Sequence, residues 1–114
     1  MIRKSGEYTV ENRPCGGSSD IFEVRHRFTC EEMFGKTRLF SEIVFEPGFV
    51  LPMHAHQKDV EIFYVMEGEL VSIDGDGGEA PFVTGDYMIT GGGGRHGLRN
   101  DSGKRARILA VIIN

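Results

Sequence analysis

From Arg38 to Asn114 the chain holds no apolar segment that runs far enough for a helix before glycine, proline or aspartate interrupts it. Leu39–Phe45 is closed by Pro47-Gly48, Glu61–Met66 by Gly68, and Leu70–Ile73 by Asp74-Gly75-Asp76-Gly77-Gly78. Phe82–Val83 runs into Gly85-Asp86, and Tyr87–Ile89 into Gly91 to Gly94. Arg95–Arg99 and Arg107–Ile113 complete the set. These dipeptides are turn formers, because glycine reaches positive φ and aspartate bonds its own backbone. Short apolar segments at this spacing predict an all-β sandwich or barrel of the jelly-roll kind. Composition agrees, with 16 glycines and 8 phenylalanines in 114 residues, a length that fits one domain.

The N-terminal third reads differently. Residues 1–20 are polar, with Pro14 and Gly16-Gly17-Ser18-Ser19 marking a flexible connection. Asp20–Phe28 follows as a half-buried strand in which Phe22, Val24, His26 and Phe28 share one face. His26 is therefore expected to be a packed or interface histidine. Thr29 and Glu32 form a capping box over a short helical turn that Gly35 ends, and no long helix is expected. The predicted organisation is an arm over residues 1–37, placed to form a dimer contact, and a barrel over residues 38–114.

Several classes are excluded or disfavoured. Lys plus Arg is 13 against 17 for Asp plus Glu, a net charge of −4 with neutral histidines. That balance gives no footprint for nucleic acid and no polybasic membrane anchor. No window approaches a membrane-spanning length, and the first twenty residues hold no apolar stretch of signal-peptide kind, so a cytoplasmic location is expected. Cys15 and Cys30 are too few for a disulfide scaffold and lack CxxC spacing, so both are expected as reduced thiols.

The chemistry-bearing segment is Gly48 to Glu61. His54 and His56 are two apart, which on a strand places both imidazoles on one face. Glu61 opens the next strand after a short turn at Gln57–Asp59, and its carboxylate can complete the cluster. Imidazole with carboxylate suits one divalent ion of Mn, Fe, Ni, Cu or Zn, and the lack of cysteine argues against a thiolate site.

The frame around these residues resembles the cupin family. The family's first motif is G-x5-HxH-x3,4-E-x6-G, and Gly48, His54, His56, Glu61 and Gly68 match it at every fixed position. The second, G-x5-PxG-x2-H-x3-N, is matched by Gly85, Gly93, His96 and Asn100, with Gly91 standing where the family has proline. Two spaced motifs in the right order carry far more weight than one short motif. The resemblance implies a double-stranded β-helix barrel, with the metal inside on His54, His56, Glu61 and His96. The missing proline bears on the loop before His96: Gly91 to Gly94 is either a tight turn or a mobile lip over the entrance.

Four protein ligands leave about two positions on a six-coordinate ion, which suits a small chelating oxygen substrate. Parity places Phe63 with Glu61, and Leu98 and Asn100 with His96; Phe49 and Met53 flank the ligand loop. These five are the candidate pocket residues, each equally readable as barrel core, and Glu42 is a further candidate acid or base. The expected function is a metal-dependent enzyme of the dioxygenase, decarboxylase or isomerase type. The alternative is a non-catalytic module that binds a small metabolite or sugar. Glu61–Met66 and Ile108–Ile113 are apolar on both faces, and one barrel interior covers only one of them, so a homodimer is expected.

Overall fold

A computed structural model describes residues 1–14 and 21–114. Cys15, Gly16-Gly17-Ser18-Ser19 and Asp20, where the expected strand begins, lie outside the described residues. Among the described residues there is no helix, and so none long and apolar enough to cross a membrane.

The strands run β1 (Thr9–Pro14), β2 (Ile21–Phe28), β3 (Thr37–Phe45), β4 (Val50–Ala55), β5 (Val60–Glu67), β6 (Glu69–Asp74), β7 (Glu79–Val83), β8 (Tyr87–Gly91), β9 (Arg95–Arg99) and β10 (Ala106–Ile113). They form a six-stranded sheet in the order β1-β2-β3-β10-β5-β8 and a four-stranded sheet in the order β4-β9-β6-β7. Every pairing is antiparallel. Chain neighbours repeatedly fall in opposite sheets, so the two sheets face each other as the double-stranded β-helix of the cupin fold.

Alternation along each strand builds the core. Phe63 and Val65 of β5, Ile108 and Ala110 of β10, Leu39, Ile43 and Phe45 of β3, and Leu98 of β9 are buried together. Prolines sit where the ladder tolerates them. Pro81 lies on β7, an edge strand, and Pro52 lies on edge strand β4 where the register with β9 shifts between Leu51 and His54. Gly68 turns β5 into β6 at φ 94°, and a Cβ there would stand 2.6 Å from the Ala106 Cβ, so no side chain fits.

One part of the N-terminal reading changes. Residues 9–14, part of the polar stretch in which no strand was expected, form β1, paired with β2 from Thr9↔His26 to Pro14↔Ile21. TVENRP carries no apolar alternation because β1 is an edge strand with exposed side chains. The capping box closes as expected, with Glu32 N–H donating to Thr29 Oγ1 and Thr29 N–H to Glu32 Oε1, each at 3.0 Å. It closes a single turn, with Met33 N–H bonded to Thr29 O (3.2 Å), and positive φ at Phe34 and Gly35 stops it there. β2 pairs directly with β3, so the arm and the barrel share one continuous sheet.

Candidate metal centre

His54 lies near the end of β4 and stands opposite His96 of β9 in the strand register. Glu61 is the second residue of β5, facing inward beside Ile112 and Thr90 on the neighbouring strands. His56 lies just beyond β4 rather than on it. Its N–H donates to Gly94 O (3.1 Å) and its carbonyl accepts from Gly93 N–H (2.8 Å). Gly94 N–H also closes a turn onto Gly91 O (3.0 Å), and Gly92 and Gly93 both take positive φ. The glycine run is thus a tight turn bonded to a ligand-bearing residue, and the lip reading gains no support.

The four side chains converge. Glu61 Oε1 lies 3.2 Å from His54 Nε2, 2.8 Å from His56 Nε2 and 3.1 Å from His96 Nε2, and His96 Nε2 is 2.8 Å from His54 Nε2. All four candidate ligand atoms lie within 4.8 Å of one another. His56, Glu61 and His96 are buried and His54 is half-exposed, so the cluster opens to solvent on the His54 side.

The donor set fits a divalent ion. With metal–ligand bonds of about 2.1 Å, ligands at right angles stand about 3.0 Å apart and tetrahedral ones about 3.4 Å. The four short separations, 2.8–3.2 Å, lie in the range that neighbouring ligands of one ion would span. The far ring nitrogens also have partners: His54 Nδ1 with Pro52 O at 2.9 Å, His56 Nδ1 with Asp59 Oδ1 at 2.9 Å, and His96 Nδ1 with Thr90 Oγ1 at 2.6 Å. A carbonyl and a carboxylate only accept, so Nδ1 of His54 and of His56 carries hydrogen. Their Nε2 lone pairs are left aimed at the cluster.

Protons and an ion compete for these Nε2 atoms, because a hydrogen bond from Nε2 to the Glu61 carboxylate uses the position that an ion would take. Burial pushes the Glu61 carboxyl up, but hydrogen bonds from His54 and His96 and the charge of the surrounding imidazoles outweigh it and hold it at about 2. The bond to Glu61 raises the His54 imidazole above its ordinary range, against the opposing effect of burial. The bond from His56 holds Asp59 below the usual carboxylate range.

The candidate pocket residues divide by position. Phe63 is buried with its ring 4.8 Å from that of His96, and Leu98, one turn of the pleat from His96, is fully buried. Met53 is half-buried next to His54 on β4. Phe49 packs instead on Phe22 and Phe45, with ring centroids 5.2 and 5.1 Å apart. Asn100 is fully buried and its side chain is engaged by the backbone. Nδ2 donates to Phe45 O (2.9 Å) and Lys104 O (2.7 Å), while Oδ1 accepts from Ser102 N–H and Oγ. Glu42 faces the opposite side of β3 from the cluster, across from Leu109 and Arg25, held by Arg27 (2.5 Å) and Arg107 (2.7 Å).

Sequence reasoning missed the partners of His26. Its Nδ1 lies 2.7 Å from Ser41 Oγ and its Nε2 2.6 Å from Glu11 Oε1, a hydroxyl–imidazole–carboxylate chain across β3, β2 and β1. Ser41 is fully buried, so no substrate reaches its hydroxyl, and the chain serves to tie the two added strands to the barrel. It also missed Asp59 and Thr90 behind the histidines, although Asp59 stands three residues after His56 in the sequence.

Residues 41–112 match the Cupin domain family, and the chain belongs to that family. It is 34% identical to the oxalate-binding protein of Thermotoga maritima, over 99% of this chain and 93% of that protein. Among solved structures it is similar to a predicted oxalate decarboxylase from Thermotoga maritima, with TM-score 0.90 and 33% identity, covering 99% of this chain and 98% of that one. An RmlC-like cupin from Shewanella frigidimarina shares the fold at TM-score 0.74 and 18% identity, covering 98% and 88%.

Proposed function

We propose that this cupin holds one divalent metal ion on His54, His56, Glu61 and His96 and uses it to bind a small chelating dicarboxylate of the oxalate class. The bound ion would supply a Lewis-acidic anchor for two carboxylate oxygens. The observation that carries this reading is the convergence of three imidazole nitrogens on one carboxylate oxygen, Glu61 Oε1, at 2.8–3.2 Å.

Binding is favoured over turnover by what surrounds the cluster. Among the described residues, the buried charged or titratable side chains are Glu42, His56, Glu61 and His96, and Glu42 faces away from the interior. The rows beside Glu61 and Phe63 are otherwise Leu39, Ile112 and Thr90, and Ser41, Ala110 and Met88. No further buried side chain in those rows is free to deliver or accept a proton once the four are engaged, which favours binding over general acid–base chemistry. The apolar wall favours a ligand whose charge is met by the ion itself. The name of the Thermotoga relative, an oxalate-binding protein, agrees with this reading. The decarboxylase alternative is motivated by the structural neighbour described as a predicted oxalate decarboxylase.

Calorimetry with oxalate on metal-loaded and metal-stripped protein, followed by assay of the same samples for formate and carbon dioxide, tests both. Metal-dependent binding without product supports the binding reading. Formate above the protein-free control would replace it with the decarboxylase, and absence of binding to loaded protein would remove the oxalate class.

A further inference from the structure

We propose that Asp59 is a positioning residue for the metal centre, acting through His56 and itself held by Arg38; this rests on the metal-binding reading above. The three histidines are not supported alike. His54 and His96 lie on β4 and β9, directly opposite each other in the register, so the ladder fixes where their rings start. His56 has left the strand. Its backbone is tied by Gly93 and Gly94, but a tied backbone leaves the ring free to turn about its own side-chain bonds. What fixes that ring is the 2.9 Å bond from Nδ1 to Asp59 Oδ1.

The partners also differ in charge. Behind His54 stands a neutral carbonyl, and behind His96 a neutral hydroxyl. Behind His56 stands a carboxylate, whose second oxygen, Oδ2, is ion-paired with Arg38. A carboxylate accepting from Nδ1–H orients the imidazole and raises the electron density at Nε2, which strengthens it as a ligand. His56 is also the closest of the three histidines to Glu61 Oε1, at 2.8 Å. The turn Gln57–Asp59 thus does more than connect β4 to β5. It returns a negative charge to the back of the one histidine that the sheet does not hold.

Arg38 lies at the start of β3, on another part of the barrel rim, and half its side chain remains exposed. It keeps Asp59 turned towards His56, and its removal should weaken the arrangement less than loss of Asp59 itself, because exposed ion pairs contribute little.

The test uses the full chain and zinc, a diamagnetic ion that suits this donor set. Zinc affinity is measured by competition with a chromophoric chelator for wild type, Asp59→Ala, Asp59→Asn and Arg38→Gln. The His56 Nδ1–H resonance is followed by NMR in the zinc-loaded protein, and folding by circular dichroism. Asp59→Ala should lower zinc affinity by about 10- to 100-fold and expose the Nδ1–H to rapid exchange with water. Asp59→Asn, whose neutral amide oxygen still accepts, should keep the resonance and lose about three- to tenfold. Arg38→Gln should lose less than about fivefold. If Asp59→Ala does not fold, Asp59→Asn decides, and wild-type affinity in that variant overturns the proposal. Zinc binding within about twofold of wild type in folded Asp59→Ala, with the resonance unchanged, overturns the positioning role while leaving the metal site standing. Failure of wild type to bind zinc overturns the metal reading itself.

Discussion

Asn100 matches the last fixed position of the second cupin motif, and parity places it with His96 and Leu98, yet its side chain is committed to the backbone. Replacing it by alanine separates the two roles. The substitution strips Phe45 O of its side-chain donor inside the protein, and it removes one donor from Lys104 O and the acceptor of Ser102. A buried carbonyl left without a partner costs about 1–3 kcal/mol, and each bond lost at the partly exposed 101–104 turn about 0.5–1.5 kcal/mol. The sum is about 2.5–7.5 kcal/mol, a large share of the roughly 5–15 kcal/mol that holds a domain of this size together. With a mid-range urea dependence of about 2 kcal/mol per molar, the unfolding midpoint should fall by roughly 1–4 M. Metal affinity of the folded fraction should be unchanged. A midpoint equal to wild type, or a loss of metal or oxalate binding at wild-type stability, would refute the reasoning and return Asn100 to the pocket.

Glu42 gives a pH dependence with a defined sign. Burial pushes its carboxyl up, but the hydrogen bonds and charges of Arg27 and Arg107 outweigh this and leave it below the ordinary value. A depressed folded-state value contributes stability that is present above the unfolded carboxylate value of about 4.3 and is lost as pH falls through the folded one. Glu42→Gln should therefore lower stability at neutral pH and flatten the acid limb of the stability profile; an unchanged acid limb would show that the pair contributes nothing. Gly68→Ala puts a Cβ 2.6 Å from Ala106 at φ 94°, and should lower the thermal midpoint by an amount equivalent to about 1–3 kcal/mol or more. The outer face of the six-stranded sheet carries Phe40, Val111, Ile62 and Ile89 in one cross-strand row and Leu109, Tyr64 and Tyr87 in the next, with Tyr87 and Ile89 largely exposed. We expect a second copy to cover it, giving a homodimer by light scattering that Ile89→Asp converts to monomer; wild-type monomer at micromolar concentration would contradict this.

The cluster was legible because its residues are bound by short-range spacing. His54, His56 and Glu61 fall within one turn of chain, and His96 follows from the second motif, so few conformations were left to choose among. The inward parity of Phe63, Val65 and Leu98 was legible for the same reason. What stayed hidden depends on contacts distant in sequence. β1 has no apolar face of its own and exists as a strand because β2 presents an unpaired edge. Glu42 reads as a surface or interior carboxylate alike until Arg27 and Arg107 arrive from β2 and β10. Asn100 fills a motif position equally well whether it faces a ligand or a backbone carbonyl, and only the loop at Phe45 decides. The glycine run was open between turn and lip because its restraint comes from His56, just beyond the end of β4 and distant in sequence.

The central claim is tested most directly by metal analysis of untagged protein purified without added metal and then reconstituted, with wild type and His96→Ala compared. The account predicts about one transition-metal ion per wild-type chain, and loss of most of it in His96→Ala with the β-sheet circular dichroism retained, since apolar faces rather than metal hold the barrel together. A wild-type chain that takes up no divalent ion on reconstitution, or a His96→Ala chain that keeps full occupancy, would contradict it.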